Sequence, residues 1–359
     1  MAPTPRIRVL VVDDAVVIRR LLGDTIEADP ELELVGVAAN GRLALQRIEQ
    51  LNPDIVTLDV EMPELDGIGT LRELRKTHPR LPVVMFSTLT ERGATATLDA
   101  LALGASDYVT KPANVGGVTQ AIERVRAELI PKLKALCGRT TAPVVAAPPV
   151  VTAAVRPPAP RKRERVDAVV IGCSTGGPNA LAEVLPGLPG SLPVPVVVVQ
   201  HMPPVFTRLL AERLDRLTDL SVREAVDGEV VEAGSILIAP GDHHLKLRRT
   251  LRGDVLVVLD DGPPEHSCRP AVDPMFRSAA DVWGAHVLGV VLTGMGYDGA
   301  LGAGVIREKG GRVVAQDQES SVVWGMPGAV VGAGAADEVV ALSEVSRSIT
   351  AACQGVLVP

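Results

Sequence analysis

The sequence is poor in aromatic residues, which make up 2% of its 359 residues, whereas apolar residues make up 47%. Its cores must therefore consist of Val, Leu, Ile and Ala. The formal net charge is −7, which argues against a nucleic-acid partner, because nucleic-acid-binding proteins usually carry a basic face. No apolar run approaches the roughly 20 residues that span a bilayer, and no signal peptide precedes the first strand-like run. We therefore expect a cytoplasmic protein with no membrane insertion.

Cysteine is also scarce, and the four copies stand far apart in the sequence. No C-x-x-C pair occurs among Cys137, Cys173, Cys268 and Cys353. This spacing argues against a disulfide framework and against a zinc site, and it fits a reducing compartment. The length of the chain predicts two domains of roughly 150 residues each.

The first part of the sequence alternates short apolar runs with segments of helical periodicity. Strands that alternate with helices predict an α/β fold with a doubly wound parallel sheet. The predicted strands are residues 7–12, 32–38, 55–58, 81–86 and 107–110, and the predicted helices include 16–27, 42–51 and 118–135. In such a sheet the ligand site lies at the carboxyl ends of the strands.

Polar residues follow four of these predicted strands, namely Asp13 and Asp14, Asp59, Ser87, and Lys111. Carboxylates that share a pocket repel each other unless a hard cation such as Mg²⁺ lies between them. A lysine can pair with an incoming phosphoryl group, and a serine hydroxyl can hydrogen-bond it. We therefore expect Asp59 to accept a phosphoryl group, with Asp13, Asp14 and Asp59 holding Mg²⁺. The alternative, a set of solvated loop charges, does not explain why suitable residues follow successive strands.

Four motifs in this region resemble those of two-component receiver domains. They are Val11-Val12-Asp13-Asp14, Leu58-Asp59-x-x-Met62-Pro63-x-x-Asp66-Gly67, Gly104-Ala105-x-Asp107-Tyr108 and Thr110-Lys111-Pro112. The resemblance implies a flavodoxin-like fold, bound Mg²⁺, and phosphorylation of Asp59 by a histidine kinase. It also implies that Ser87 and Tyr108 are switch residues, together with Lys111. We assign residues 1–137 to this domain.

Residues 138–165 differ in character from the sequence on either side, because they are rich in proline and alanine and show no helical or strand periodicity. Such a composition favours an extended, semi-rigid linker. The basic cluster at 161–165 could contact a nucleic acid. In an acidic chain, a solvated linker end or a contact to an acidic partner is the better interpretation.

We assign residues 166–359 to a second domain, in which short apolar runs again alternate with segments of helical periodicity. The predicted strands are 166–171, 194–199, 235–239, 255–259, 287–292 and 312–315, and predicted helices lie at 179–184, 207–214 and 299–309. The pattern again predicts an α/β sheet covered on both faces, here a Rossmann-like one.

Ser174 lies in the stretch Gly172-Cys173-Ser174-Thr175-Gly176, between a predicted strand and a predicted helix. A G-x-S-x-G sequence in that context is typical of a nucleophile elbow, where small neighbours leave the serine hydroxyl exposed. The free N–H groups of the following helix favour negative charge that develops there. On this motif alone, a glycine-rich turn or a phosphate cradle is an equal alternative.

His201 and Asp298 each follow the carboxyl end of another predicted strand. Because those ends share one edge of the sheet, the two side chains can meet Ser174 there. A serine hydroxyl becomes nucleophilic when an imidazole takes its proton, and the imidazole needs a carboxylate to orient it. The backbone N–H of Met295, in a glycine loop, could help to hold an oxyanion.

Each of these residues also has a structural interpretation. His201 could be a satisfied histidine at a strand end, and Met295 could be core filler. Asp298 could cap the helix predicted at 299–309. Among the other histidines, His244 and His266 are secondary candidates for a functional role.

The motifs around these residues resemble those of the CheB methylesterase domain. They are Ile171-Gly172-x-Ser174-Thr175-Gly176-Gly177, Gln200-His201-Met202-Pro203, Ile238-Ala239-Pro240-Gly241-Asp242-x-His244, Arg269-Pro270-x-Val272-Asp273 and Leu292-Thr293-Gly294-Met295-Gly296-x-Asp298-Gly299. The resemblance implies that Ser174 is the nucleophile, His201 the general base and acid, and Asp298 the orienting carboxylate. It also implies backbone oxyanion donors near Thr175 and Met295. We expect no cofactor in this domain.

With the receiver in front, the whole chain is similar to chemotaxis response regulators that are protein-glutamate methylesterases. The resemblance implies hydrolysis of glutamate γ-methyl esters and deamidation of glutamines on chemoreceptors, with a chemotaxis histidine kinase as phosphodonor. The unphosphorylated receiver would cover the edge that bears the serine, and phosphorylation would open it. Two alternatives remain. One is a non-catalytic adaptor that binds receptor or kinase, and the other is a DNA-binding regulator, although no helix-turn-helix pattern follows the linker.

Overall fold

A computed structural model describes residues 5–111, 118–138 and 165–354. The chain divides into two compact units, Met1–Thr141 and Ala142–Pro359. Most of the predicted linker, residues 139–164, lies outside the described residues, and so does the segment 112–117. None of the helices in the described ranges has the length and apolar character that a bilayer crossing demands.

The first unit is a five-stranded parallel sheet with helices packed on it. Its strands are β1 (Ile7–Val12), β2 (Leu32–Ala38), β3 (Ile55–Asp59), β4 (Val83–Ser87) and β5 (Asp107–Thr110), and its helices are α1 (Val16–Glu27), α2 (Gly41–Leu51), α3 (Gly67–Thr77), α4 (Glu91–Ala102) and α5 (Val118–Leu136). The strand order is β2-β1-β3-β4-β5, with every pair parallel. The predicted parallel α/β fold is confirmed.

The inner strands of this sheet are more deeply buried than the edge strand β2. β3 and β4 are buried along their whole length, which is why their sequences read as nearly continuous apolar runs. Side-chain caps fix where three of the helices begin. Asn40 accepts a hydrogen bond from Leu43 N at the start of α2, and Asp66 accepts one from Gly69 N at the start of α3. Thr90 accepts one from Gly93 N at the start of α4. These caps satisfy backbone N–H groups that have no partner inside the helix.

The second unit is a larger α/β domain. Its strands are β6 (Ala168–Cys173), β7 (Val196–Gln200), β8 (Ser221–Glu224), β9 (Ser235–Ile238), β10 (His244–Arg249), β11 (Val255–Asp260), β12 (Val287–Val291), β13 (Arg312–Gln316) and β14 (Glu338–Val340). Its helices are α6 (Gly177–Val184), α7 (Phe206–Asp215), α8 (Val272–Trp283), α9 (Ala300–Glu308), α10 (Met326–Gly332) and α11 (Leu342–Gln354), and short 3₁₀ turns lie at Leu185–Gly187 and Gly284–His286.

Seven of these strands form one parallel sheet in the order β14-β13-β12-β6-β7-β9-β8. This sheet confirms the predicted parallel α/β architecture of the domain. β6 lies in the middle, with β12 on one side and β7 on the other. Since all three strands run in the same direction, their carboxyl ends open at one edge, where ligands bind in such sheets.

The strand predicted at 255–259 was wrongly assigned to the main sheet. It is β11, which pairs antiparallel with β10 in a separate two-stranded sheet. Buried and half-buried residues alternate at the start of β11, as expected where one face of a strand packs on the core and the other faces water. Leu245 and Val257 pack into the same core as α8 residues such as Phe276. The sequence analysis did not predict β8, β10 or β14, which are polar or short.

Two candidate functional sites

Ser174, His201 and Asp298 leave three adjacent strands at the same edge of the second sheet. Ser174 directly follows β6, and His201 directly follows β7. Cys173 and Gln200, the last residues of these strands, are register partners, and the backbone nitrogen of His201 donates to Cys173 O at 3.2 Å. β12 pairs with the other side of β6 and leads into the loop that carries Asp298. The sheet therefore brings the segments that carry the three residues to the same edge.

The turn at Ser174 requires glycine at two positions. Gly176 has a φ of 80°, in the left-handed region that favours glycine. A Cβ at Gly177 would lie 1.9 Å from Gln200 Oε1. Gln200 Nε2 donates to the carbonyl oxygens of Ser174 at 3.0 Å and of His201 at 3.3 Å. The Gln200 side chain thus ties together the two strand ends that carry the serine and the histidine.

His201 lies between a carboxylate and a thiol. Its Nε2 is 2.8 Å from Asp298 Oδ2, and its Nδ1 is 3.5 Å from Cys268 Sγ. Burial would lower the pKa of His201, but its contacts with Cys268 and Asp298 outweigh burial and raise that pKa to about 10. These two contacts therefore stabilise the imidazolium form of His201.

Asp298 accepts hydrogen bonds from the first turn of α8. Val272 N donates to its Oδ2 at 2.7 Å, and Asp273 N donates to its Oδ1 at 3.0 Å. Burial would raise the pKa of Asp298, but the contact with His201 and these N–H groups lower it below the ordinary value. The alternative prediction that Asp298 caps the helix after it was wrong. That helix, α9, begins after Gly299 without a side-chain cap, and the carboxylate is turned toward α8 instead.

The loops that carry Thr175 and Met295 lie next to each other at Ser174. Ser174 N donates to Thr293 O at 3.0 Å, and Thr293 Oγ1 donates to Thr175 O at 2.9 Å. A Cβ at Gly294 would lie 2.9 Å from Ser174 Cβ, so only glycine allows this close approach. The structure therefore brings the loop that carries Met295 next to the serine turn, and the role of the Thr175 and Met295 N–H groups as oxyanion donors stays a prediction.

No role was predicted for Cys268 or Asp273, although Asp273 ends the motif that begins at Arg269 and Cys268 directly precedes it. Cys268 contacts His201, and Asp273 contacts His266 at 2.8 Å. The two secondary candidates have different surroundings. His244 is buried, and its ring nitrogens bond to backbone atoms of the following loop, which is a structural arrangement. His266 instead lies between two carboxylates near His201.

The second candidate site lies at the carboxyl edge of the sheet in the first unit. Asp13 follows β1, Asp59 ends β3 and Lys111 follows β5. Lys111 Nζ is 3.0 Å from Asp13 Oδ2 and 2.7 Å from Asp59 Oδ2. Asp14 completes the group, since carboxylate oxygens of Asp13, Asp14 and Asp59 lie within 4.8 Å of one another. Asp14, Asp59, Ser87 and Lys111 line a cavity of about 250 Å³.

The charges at this site are unbalanced. Asp13 and Asp59 are both buried and share the single ammonium group of Lys111. Burial and the charge of Asp13 raise the pKa of Asp59 to about 6, although Lys111 opposes that shift. Excess negative charge on oxygen donors is the setting in which Mg²⁺ binds, often with phosphate oxygens in its shell. The residues present therefore fit the cation that the sequence implies.

The two predicted switch residues lie on neighbouring strands, and each has partners in this structure. Ser87 Oγ donates to the carbonyl oxygen of Gly93 at 3.1 Å. Tyr108 is buried. Lys132 Nζ donates to Tyr108 O at 2.6 Å and lies 5.1 Å from the centre of the tyrosine ring. Ser87 thus lies at the cavity of Asp59, whereas Tyr108 is held against α5.

The two folds and their sites define a class of protein, a response regulator whose receiver domain precedes an α/β effector domain. Comparison with protein-family models supports that assignment. Residues 9–123 match the response regulator receiver domain, and residues 169–349 match the CheB methylesterase family. The chain belongs to the CheB methylesterase family, and its receiver places it among proteins that undergo Mg²⁺-dependent phosphorylation.

Relatives with the same two-domain organisation extend over nearly the whole chain. A protein-glutamate methylesterase/protein-glutamine glutaminase of Nocardioides sp. is 54% identical over 349 residues, covering 96% of this chain and 95% of that protein. One of the same name from Pyrococcus abyssi is 41% identical over 352 residues, covering 97% and 94%. The crystal structure of the Thermotoga maritima CheB methylesterase catalytic domain has 45% identity and a TM-score of 0.51, and it covers 52% of this chain and 98% of that chain.

Proposed function

We propose that this protein hydrolyses γ-methyl esters of glutamate on chemoreceptors, releasing methanol, and deamidates glutamines on the same receptors. The names of its relatives support the substrate class and the pair of reactions. One observation supports placing both reactions at the site around Ser174. The His201–Asp298 pair, 2.8 Å apart, lies beside the glycine turn of Ser174 on an adjacent strand. Chemoreceptors present these side chains in the cytoplasm, where we place the protein.

In the proposed mechanism, Ser174 Oγ attacks the ester carbonyl carbon while neutral His201 takes the hydroxyl proton. The backbone N–H groups of Thr175 and Met295 stabilise the oxyanion that forms. The intermediate collapses, and methoxide leaves with the proton from His201 as methanol. Water then attacks the acyl-serine with His201 as base again, which regenerates Ser174 and leaves a glutamate. A glutamine side chain reacts by the same steps, with ammonia as the leaving group.

The base form of His201 depends on its contact with Cys268. An imidazolium cannot accept the proton of Ser174, and the Cys268 contact stabilises the imidazolium. The proposed proton transfer therefore requires Nδ1 to leave Cys268. The Nδ1 atom that now faces Cys268 would then be available to Ser174, while Nε2 keeps its contact with Asp298. We therefore expect Cys268 to affect the pH at which the enzyme works.

In the receiver, Asp59 would accept the phosphoryl group from a histidine kinase. Asp13, Asp14 and Asp59 would hold Mg²⁺, whose charge offsets the negative charge of the transferring group. Lys111 would exchange its contact with Asp59 for one with a phosphoryl oxygen. Ser87 would leave the Gly93 carbonyl to hydrogen-bond the same group, and a rearrangement around Tyr108 would follow. Phosphorylation can change the activity of the second domain only if it stabilises an active conformation more than the resting conformation.

Methanol release from methylated receptor, with and without a small phosphodonor, tests this function. Ser174→Ala should abolish methanol release and leave phosphorylation of Asp59 intact, whereas Ser343→Ala, at an exposed position on α11, should change neither. Full activity of Ser174→Ala would show that the nucleophile is another residue. Equal rates with and without phosphodonor would disprove activation by phosphorylation. The non-catalytic adaptor predicts no labelling of Ser174 by a phosphonate reagent, and membership of a methylesterase family does not favour it.

A further inference from the structure

A two-residue turn presents two side chains to the His201–Asp298 pair. Glu265 and Cys268 close this turn by exchanging backbone hydrogen bonds at 3.2 Å and 2.9 Å. Between them, His266 and Ser267 have φ values of 53° and 62°. The left-handed region is unfavourable for residues other than glycine, so the surroundings must hold the turn in place. One such restraint is Arg277 on α8, which bonds the Glu265 carboxylate at 2.7 Å.

His266 lies between two buried carboxylates. Its Nε2 is 2.8 Å from Asp273 Oδ2 and 3.9 Å from Asp298 Oδ1. The ring of Tyr297 meets the ring of His266 edge to face, with the centroids 4.7 Å apart. Asp273 is wholly buried, and its other oxygen accepts a hydrogen bond from Gly302 N at 2.6 Å. The imidazole is thus oriented by contacts on more than one side.

The two carboxylates are close enough to oppose each other. Asp273 N donates to Asp298 Oδ1 at 3.0 Å, so the residues are in direct contact. Burial raises the pKa of Asp273, and the charge of Asp298 adds to that rise. Two buried anions at this separation require a cation, or one of them takes up a proton. His201 can supply one positive charge to Asp298, but a second is needed for Asp273.

We propose that His266 is a positioning residue for the hydrolysis, whose imidazolium neutralises Asp273 and keeps the Asp298 carboxylate available to His201. The proposal rests on the function proposed above. In this arrangement two imidazoles and two carboxylates form a chain in the order His201, Asp298, His266, Asp273. His266 does not touch the substrate. Its positive charge offsets part of the negative charge of Asp298 and so changes how strongly Asp298 stabilises the imidazolium of His201.

The charged and titratable groups around His266 come from three elements. Asp273 and Arg277 belong to α8, Asp298 and Tyr297 belong to the loop after β12, and Glu265 and Cys268 belong to its own turn. Arg277 is paired with Glu265, and Cys268 faces His201. Asp273 and Asp298 are therefore the anions that His266 can neutralise.

Substitutions at His266 and at Asp273 should move the acid limb of the pH–rate profile in opposite directions. His266→Asn removes the positive charge and suits the left-handed backbone, which asparagine tolerates. Without that charge the imidazolium of His201 is easier to form. The acid limb should move up by about one pH unit, which is a tenfold loss of rate on that limb. Asp273→Asn leaves His266 with Asp298 as its nearest carboxylate, so the limb should move down. His266→Lys keeps a cation and should restore much of the original position.

Two measurements on the full-length protein separate this proposal from the function on which it rests. The first is the pH dependence of methanol release from methylated receptor in the presence of phosphodonor. The second is an NMR titration of the His201 imidazole, which does not require hydrolysis. His286→Gln is the control, since that histidine precedes β12 at the opposite end of the sheet, and it should move neither readout.

Opposite shifts of the His201 titration in His266→Asn and Asp273→Asn would support the charge chain even if no variant released methanol. The absence of methanol release would then count against the esterase function alone. An unmoved titration and an unmoved acid limb in both variants would overturn the positioning role, whatever the rate. Shifts of the same sign in the two variants would also overturn it, because a general loss of structure has no reason to alternate in sign.

Discussion

The carboxylate of Asp298 contacts Nε2 of His201 at 2.8 Å while the first turn of α8 donates two backbone N–H groups to it. The N-terminus of a helix carries partial positive charge, so it stabilises the ionised carboxylate before any substrate binds. A buried anion of this kind orients the imidazole and stabilises its charged form during proton transfer. Beside His201, the stabilisation of this anion comes from α8, an element that contributes neither the serine nor the histidine of the site.

Asp298→Asn tests how much the rate depends on that charge. An amide keeps the size of the side chain but loses its negative charge, and its NH₂ group cannot accept the α8 hydrogen bonds. We expect kcat for methanol release to fall by about 10²–10⁴-fold. Asp281→Asn, an exposed position on the same helix, is the control and should stay within about twofold. A kcat for Asp298→Asn near that of the control would remove Asp298 from the mechanism.

Cys268→Ala tests the influence of the thiol on His201. The contact with Cys268 raises the pKa of His201, so its removal should lower that pKa. Because we propose neutral His201 as the base, we expect the acid limb of kcat/KM to move to lower pH, with a higher rate near neutrality. The pH profile of methanol release measures the shift, and Cys353→Ala on α11 is the matched control. An acid limb that stays in place, or moves to higher pH, would contradict this prediction.

Gly294→Ala tests the close packing of the two loops at the serine. The added Cβ would lie 2.4 Å from Met326 Sδ and 2.9 Å from Ser174 Cβ. Because both neighbours lie in packed segments, we expect the serine to shift and kcat to fall by about a hundredfold, since small misplacements are costly in such sites. Rates on methylated receptor and circular dichroism together distinguish this result from unfolding.

Gly304→Ala is the counterpart of that substitution. A Cβ at Gly304 meets nothing within 4 Å, and the residue lies inside α9. Alanine in a helix interior is more favourable than glycine by about 0.5–1 kcal/mol. We expect an unchanged rate and a higher thermal midpoint. A loss of activity equal to that of Gly294→Ala would mean that the local packing described for Ser174 is not the cause.

Asp59→Asn should stabilise the receiver in a pH-dependent way. The pKa of Asp59 rises from 3.8 in its ordinary state to about 6 in the fold, so its ionisation opposes folding. That cost is complete above pH 6 and absent below pH 3.8. The substitution should therefore add about 1–3 kcal/mol at neutral pH, and the gain should vanish as pH falls through that window.

Calorimetry of the full chain in the presence of a chelator measures the gain, because Mg²⁺ would stabilise the ionised aspartate. Asp54→Asn, at the exposed position just before the same strand, is the control. A gain at Asp59 that persists unchanged in acid would show that its source is not the buried charge.

Much of the fold could be predicted because its strands are buried apolar runs. The predicted strand 7–12 and helix 16–27 coincide with β1 and α1. The strand at 255–259 was found in the sequence but assigned to the wrong sheet, since a run of residues does not specify its partner. Its pairing with β10 depends on the reversal of the chain between the two strands. β10 was not predicted as a strand because it carries the charged residues Lys246, Arg248 and Arg249.

The candidate sites were predictable to the extent that strand ends determine them. Ser174, His201 and Asp298 follow strands that prove to be adjacent, and the structure places them at one edge. Their catalytic roles stay predictions. The contact of Cys268 with His201 could not be predicted, because it depends on a turn with left-handed residues in a loop far along the chain. Tertiary structure alone brings that loop to the histidine.

The central position of β6 has a consequence for the order in which the domain is made. Gly172, beside the serine turn, pairs with Val291 on β12, and a ribosome synthesises most of the domain between those two residues. A nascent chain or proteolytic fragment that ends before β12 carries the serine and histidine but lacks both Asp298 and the neighbouring strand that holds the turn. With the proposed role of Asp298, we therefore expect ester hydrolysis to begin only after β12 and the loop that follows it have been synthesised and folded.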